Sequence, residues 1–242
     1  MVHFTVYKDS ISLAINGKFL SVSGDDPMFE TIMTMVSDID NYTDDDFLDI
    51  LDISKPVASY ISESGDTEIK DGVIYYKGEP IESSMTDLIL ENMELNLPFQ
   101  NLVNFYEKLQ DNPSYRSRNQ LWNFISKFEF PISHDGDFIA WKGVDSDYYD
   151  IKTRTIKYES GKIVEMPRSQ VSDDPAEACA PGLHVGTQDY ASSWAGYSGR
   201  VIACKVNPRD VVRVPYDHNY SKCATCRLEV LGEVNFINRK EK

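Results

Sequence analysis

Ile11-Ser12-Leu13-Ala14-Ile15-Asn16-Gly17-Lys18-Phe19-Leu20-Ser21-Val22 decides how the chain opens. Apolar residues alternate up to Asn16-Gly17 and resume at Phe19, the spacing of two short strands joined by a two-residue turn. Helical patterns follow. Asp26 offers an N-cap with Pro27 at the first helical position, and Phe29, Ile32, Met33 and Val36 fall on one face. Thr43 can cap a second helix bearing Phe47, Leu48 and Leu51; the run Asp44-Asp45-Asp46 suits the first turn of that helix and solvent better than a cation. Residues 67–77 alternate around Asp71-Gly72 as a second hairpin, and Ser84 with Asp87 has a capping-box pattern ahead of Leu88, Ile89 and Met93.

Outward from there the texture changes twice. Between 97 and 128 two helical stripes, Leu102, Val103, Phe105, Tyr106, Leu109 and then Leu121, Trp122, Ile125, Phe128, are interrupted at Asn112-Pro113. Beyond 130 the pattern is short strands separated by Gly, Pro, Asp and Asn turns, expected at 137–142, 150–157, 162–166, 182–186, 200–206, 210–214 and 226–234. The fold class is therefore α+β. An acidic α+β domain spans 1–95, a helical segment 96–130 and a β-rich domain 131–242, with no internal repeat.

Composition narrows the function. The 242 residues are 41% hydrophobic, 26% charged and 12% aromatic, too apolar and aromatic for a disordered chain. Against 39 acids stand 24 Lys and Arg, a formal charge of −15, which argues against a protein that grips nucleic-acid phosphates. The charge is uneven: residues 1–95 hold 20 acids, 5 lysines and no arginine, whereas 96–242 hold 19 of each sign. A small anion, if one binds, belongs with the arginines. No apolar run approaches the roughly 20 residues of a membrane span, and Met1-Val2-His3-Phe4-Thr5 lacks the features of a signal peptide, so a cytosolic protein is expected. Four cysteines, all after residue 178, fit that compartment as thiols.

No phosphate-loop, dinucleotide-binding, serine-hydrolase or zincin motif is present. Cys223-Ala-Thr-Cys226 could hold zinc with Cys179 and His184, but the spacing is half a signature and no metal is expected. Asp135-Gly136-Asp137 lacks the later ligands of a calcium loop and reads as a turn. The densest polar and aromatic stretch is Cys179-Ala-Pro-Gly182-Leu183-His184-Val185-Gly186-Thr187, followed by Tyr190, Ala191, Trp194 and Tyr197. Its glycines admit close approach and its aromatics could stack on a base, although a core strand with a satisfied histidine is the simpler reading.

Ile132-Ser-His-Asp-Gly136-Asp137-Phe138-Ile-Ala140-Trp141-Lys142, Gly161-Lys-Ile-Val164-Glu-Met166-Pro167-Arg168, Asp173-Asp174, Cys179 to Val185, Val206-Asn-Pro208-Arg209-Asp210-Val211-Val212 and Glu229-Val230 occur in one order. Together with Ile11 to Gly17 and Tyr60-Ile61-Ser62 they make the chain resemble the bacteriophage rIIB family, rapid-lysis and exclusion proteins of large tailed phages. The resemblance implies a phage accessory protein of the infected host's cytoplasm, peripheral to the inner membrane. It would bind an rIIA-like phage protein or a host defence protein and protect infection against exclusion systems. It implies no established active site or cofactor. The family carries a helix-turn-helix-like segment ahead of this region and this chain starts without it, so direct DNA binding is not expected. The family has no cysteine at the place of Cys223, which argues against a family-wide zinc site.

The order of strands after 130 is also similar to the ADP-ribosyltransferase fold. That second resemblance implies a pocket for NAD or an ADP-ribose type nucleotide, with Lys142, His184 and Glu229 as catalytic candidates. Tyr190, Trp194, Arg168, Arg200 and Arg227 would be its ligand contacts. In such enzymes the glutamate orients a ribose hydroxyl and stabilises an oxocarbenium-like transition state. Ala140-Trp141-Lys142-Gly143 lacks the usual His or Arg on the first strand, so binding of a partner is the leading expectation and the enzyme the alternative.

Overall fold

The computed structural model describes residues 2–51, 59–95, 97–177, 180–216, 219 and 221–234. The chain forms two compact units, Met1–Asp111 with Pro131–Asp137, and Asn112–Phe130 with Phe138–Lys242. The helical stretch 96–130 is divided between them.

In the first unit, β1 (His3–Tyr7), β2 (Ser10–Ile15) and β3 (Lys18–Ser23) make an antiparallel meander. Asn16 and Gly17 both take positive φ, 50° and 78°, the backbone a two-residue turn of the right twist requires. Ile11, Leu13, Ile15, Leu20 and Val22 form one core with Ile32, Met35 and Val36 of α1 (Phe29–Ser37) and Phe47 of α2 (Asp44–Ile50). The first helix starts two residues later than Asp26-Pro27 suggests, because Asp26 Oδ1 takes the N–H of Met28 in a preceding turn. Thr43 caps α2 as expected, in a box closed by Asp46. The second hairpin grows into the sheet β4 (Ser59–Ile61), β5 (Thr67–Lys70), β6 (Val73–Tyr76) and β7 (Glu79–Ile81). The capping box of α3 (Ser84–Glu94) lies one residue earlier than the Ser84/Asp87 reading, on Ser83 with Thr86, since Thr86 Oγ1 accepts from the N–H of Ser83. On α4 (Gln100–Gln110), the Glu107 carboxylate accepts from Ser62, Ser64 and Thr67, fastening the second sheet. Asp135-Gly136-Asp137 is a turn at which Gly136, φ 85°, lies against α4; a Cβ there would meet the backbone of Asn104 and Phe105 at 2.4 Å.

The second unit holds α5 (Tyr115–Phe128), β8 (Phe138–Val144), β9 (Ile163–Glu165), β10 (Leu183–Gly186), α6 (Gln188–Ala195), β11 (Arg200–Val206), β12 (Val211–Arg213), β13 (Lys222–Thr225) and β14 (Arg227–Glu233). Its antiparallel sheet has the order β12-β13-β10-β8-β11-β14-β9. Only Cys226 separates β13 from β14, yet three strands stand between them in that order. A flat sheet would set them about 19 Å apart at about 4.8 Å per strand, beyond the reach of one residue, so the sheet curls round on itself. Phe130 stacks on Trp141 at 5.8 Å, and α6 crosses β8 at Gly143, where a Cβ would meet Ala191 O at 2.4 Å.

The expected strand 150–157 is instead a turn with a single bridge between Tyr149 and Lys157. Asp150 collects the N–H groups of Thr153, Thr155 and Ile156 on its carboxylate, which takes three backbone donors away from a ladder.

Candidate functional site

The candidate residues of the second unit are placed by register. Antiparallel partners share a sheet face and neighbours along a strand alternate. Gly186 pairs with Trp141 and Trp141 with Ala203, so the side chains of His184 and Trp141 belong to one face and that of Lys142, beside Ile202, to the other. Glu229 pairs with Lys205, on the face of Ala203. Lys142 and Glu229 therefore lie on opposite faces, and His184 and Glu229 are on strands separated by β8 and β11. The three do not meet around one point. What joins Lys142 to β10 is main chain: its Nζ donates to the carbonyl oxygen of His184 at 3.4 Å.

Lys142 is partly enclosed and lies 4.7 Å from the ring centroid of the buried Tyr158. Loss of water pushes its pKa below the ordinary lysine value, while Cys204 and Asp150 pull it back. Burial pushes the Cys204 thiol up to about 12. At Asp150 burial acts upward, but the hydrogen bonds from Thr153, Ile156 and Thr155 outweigh it and bring the carboxyl down to about 2. The surroundings of Lys142 thus weaken its hold on the proton, with a carboxylate fixed nearby acting the other way.

The ligand-contact candidates have structural engagements. Arg168 donates through Nη1 to Arg209 O and through Nη2 to Asn112 Oδ1 and Val211 O. Arg200 forks onto Glu233 at 2.9 and 3.0 Å and lies over Tyr148. Arg227 is 3.8 Å from Glu165. On α6, Tyr190 and Trp194 meet edge to face at 6.4 Å; Tyr190 is buried and Trp194 is 38% exposed.

Cys179 lies outside the described residues. Cys223 pairs with Val185, whereas Cys226 packs with Val171, Val212 and Ala224. Ala224, which Cys226 packs against, follows Cys223 on β13 and faces the other way, so the two thiols lie on opposite faces. Burial pushes both pKa values up, which disfavours the thiolates a metal needs. Among the described residues no three His, Cys, Asp or Glu side chains gather to hold a metal.

Sequence reasoning misses Arg213, the largest fully buried side chain among the described residues of the unit, whose Nε and Nη2 have no hydrogen-bond partner among those residues. Its only sequence signal is a basic residue closing a valine-rich strand.

The sequence matches the family described as Bacteriophage T4 protein rIIB over residues 2–236. Protein rIIB of Enterobacteria phage T4 is 38% identical over 184 residues, 76% of this chain and 58% of that protein, so the chain matches little more than half the length of this relative. No solved structure matches.

Proposed function

The chain belongs to the bacteriophage T4 rIIB family, and on that premise we propose that it is a phage accessory protein that acts in the infected cell by binding a partner rather than by catalysis. Its role is to counter exclusion or defence and to influence lysis. The observation that carries the reading is the match between charge and architecture. The first unit has 24 acids against six lysines, a net −18, and the second has 15 acids against 18 bases, a net +3. Every arginine is in the second unit. A unit so strongly of one sign steers a basic protein surface toward it and speeds encounter. Among the described residues no helix is long and apolar enough to cross a membrane.

An rIIA-like protein of the same phage, or a host defence protein, is the partner class. The test is the association rate of the full chain with the rIIA-like protein as salt rises from 50 to about 500 mM. A fall of about tenfold or more is expected for an encounter steered by charge. A rate that does not change with salt refutes the reading. The nucleotide-binding alternative draws on one observation, the exposed Trp194 beside Tyr190, which offers a face on which a base could stack.

A further inference from the structure

Arg213 is 1% exposed. One nitrogen is engaged: Nη1 donates to the carbonyl oxygens of Asp174 and Glu177, the latter at 3.1 Å. Among the described residues the buried Nε and Nη2 have no hydrogen-bond partner, and no carboxylate stands within ion-pair distance. A buried lysine can shed its proton and become neutral; a guanidinium in a protein cannot. Its charge must be met by an anion or carried at a cost the fold would otherwise avoid.

The two unsatisfied nitrogens are not an arbitrary pair. Nε and Nη2 lie along one edge of the guanidinium, and their parallel N–H bonds match the two oxygens of a phosphate or carboxylate. The carbonyls of Asp174 and Glu177 hold the opposite side, so the edge is fixed in direction before any ligand arrives. Asp174, Ala176 and Glu177 are exposed, so the segment that holds Nη1 lies at the surface.

The surroundings fit. Past a register shift after Val211, Arg213 pairs with Ala224 of β13, and Ala224 pairs with His184 of β10, so the three residues stand in line across adjacent strands. The middle member is only a methyl. Beside it Gly182 has φ 148°, and a Cβ there would lie 3.3 Å from Ala224 Cβ and 3.8 Å from His184 Nε2. Val171 Cγ1 would meet the same Cβ at 3.0 Å and packs with Val212 on Ala224, so apolar side chains cover the middle of the row.

We propose that Arg213 anchors an oxyanion site, taking the phosphate or carboxylate group of a small molecule through Nε and Nη2, with His184 at the other end of the row. This goes beyond the partner-binding reading and rests on a different residue from Arg168, Arg200 and Arg227.

The test follows the Arg213 Nε–H resonance of the ¹⁵N-labelled full chain by NMR. Sodium phosphate, sodium acetate and sodium chloride are titrated separately at matched ionic strength. The expected result is a saturable shift of that resonance with phosphate or acetate and none with chloride, the responding anion naming the source. Thermal stability should rise over the same concentrations. Arg213→Lys keeps the charge without the fork and should bind about tenfold more weakly or worse. A resonance that ignores both oxyanions, or moves equally with chloride, overturns the proposal. Since the resonance is read on the wild-type chain, the proposal can be refuted even where the variant fails to fold.

Discussion

Replacing Asn112 by Ala should be among the most damaging single changes in the second unit. The side chain is completely buried and uses all of its hydrogen-bonding capacity. Nδ2 donates to Pro208 O at 2.8 Å and to Val211 O at 2.7 Å; Oδ1 accepts from Ser114 N at 2.9 Å and Arg168 Nη2 at 3.0 Å. These four bonds tie the entry to α5 to the chain around β12 and help to hold Arg168. At about 0.5–1.5 kcal/mol net for each bond, the loss amounts to about 2–6 kcal/mol, comparable with a good part of a domain's total stability of about 5–15 kcal/mol. Asn112→Asp has nearly the same shape but gives up both Nδ2 donors and sets an oxygen against two carbonyl oxygens, so it should cost at least as much at neutral pH. Urea unfolding followed by tryptophan fluorescence is a selective assay, because Trp122, Trp141 and Trp194, the only tryptophans, all belong to this unit. A loss below about 1 kcal/mol for the Ala variant, or an Asp variant milder than Ala, would show that these bonds do not hold the unit together.

Lys142→Met should stabilise the protein at neutral pH by about 1–2 kcal/mol, the lower part of the range for apolar replacement of buried charge, because Lys142 still meets some water. The sign in pH follows from the same cause. The unfolded chain keeps the lysine proton up to its ordinary pKa of 10.5, whereas the folded chain releases it earlier, so between the two the unfolded state binds more protons and wild-type stability rises with pH. Unfolding measured on both proteins across the alkaline range should show that the Met variant lacks this contribution; parallel curves would contradict it. Gly143→Ala would place a methyl 2.4 Å from Ala191 O and 2.8 Å from Ala195 N, against the backbone of α6. A loss of about 1–3 kcal/mol in the same urea assay is expected, and a neutral result would mean that the helix does not press on β8 this closely.

The parts legible in the sequence are those that local chemistry decides. Asn16-Gly17 declares its hairpin because few other residue pairs adopt two positive φ angles cheaply, and Thr43 declares its helix because its hydroxyl satisfies an N–H that the helix itself cannot. The losses have equally definite causes. Residues 150–157 alternate like a strand, but the Asp150 carboxylate competes for the backbone donors and wins. Lys222-Cys223-Ala224-Thr225 has little strand signal of its own and becomes β13 because β10 and β12 flank it. At the candidate site the strands bearing Lys142, His184 and Glu229 are each legible, but the face a side chain takes depends on pairings between distant segments, including the shift between Ala203 and Cys204. Arg213 is out of reach for the same reason, since its engaged nitrogen is held by Asp174 and Glu177, more than thirty residues earlier.

Plating of phage on a host that carries an exclusion or defence system, with the phage's own copy replaced by variants of this chain, tests binding against catalysis most directly. Glu68, Glu79 and Glu82 are exposed on the first unit and join no ion pair among the described residues. Reversing them together as Glu68→Lys, Glu79→Lys and Glu82→Lys should lower protection, while Glu229→Gln, in a variant verified as folded and expressed, should protect as the wild type does. A catalytic glutamate stripped of its charge would instead lose on the order of 10²-fold or more in rate. Protection abolished by Glu229→Gln and untouched by the three charge reversals would contradict the account.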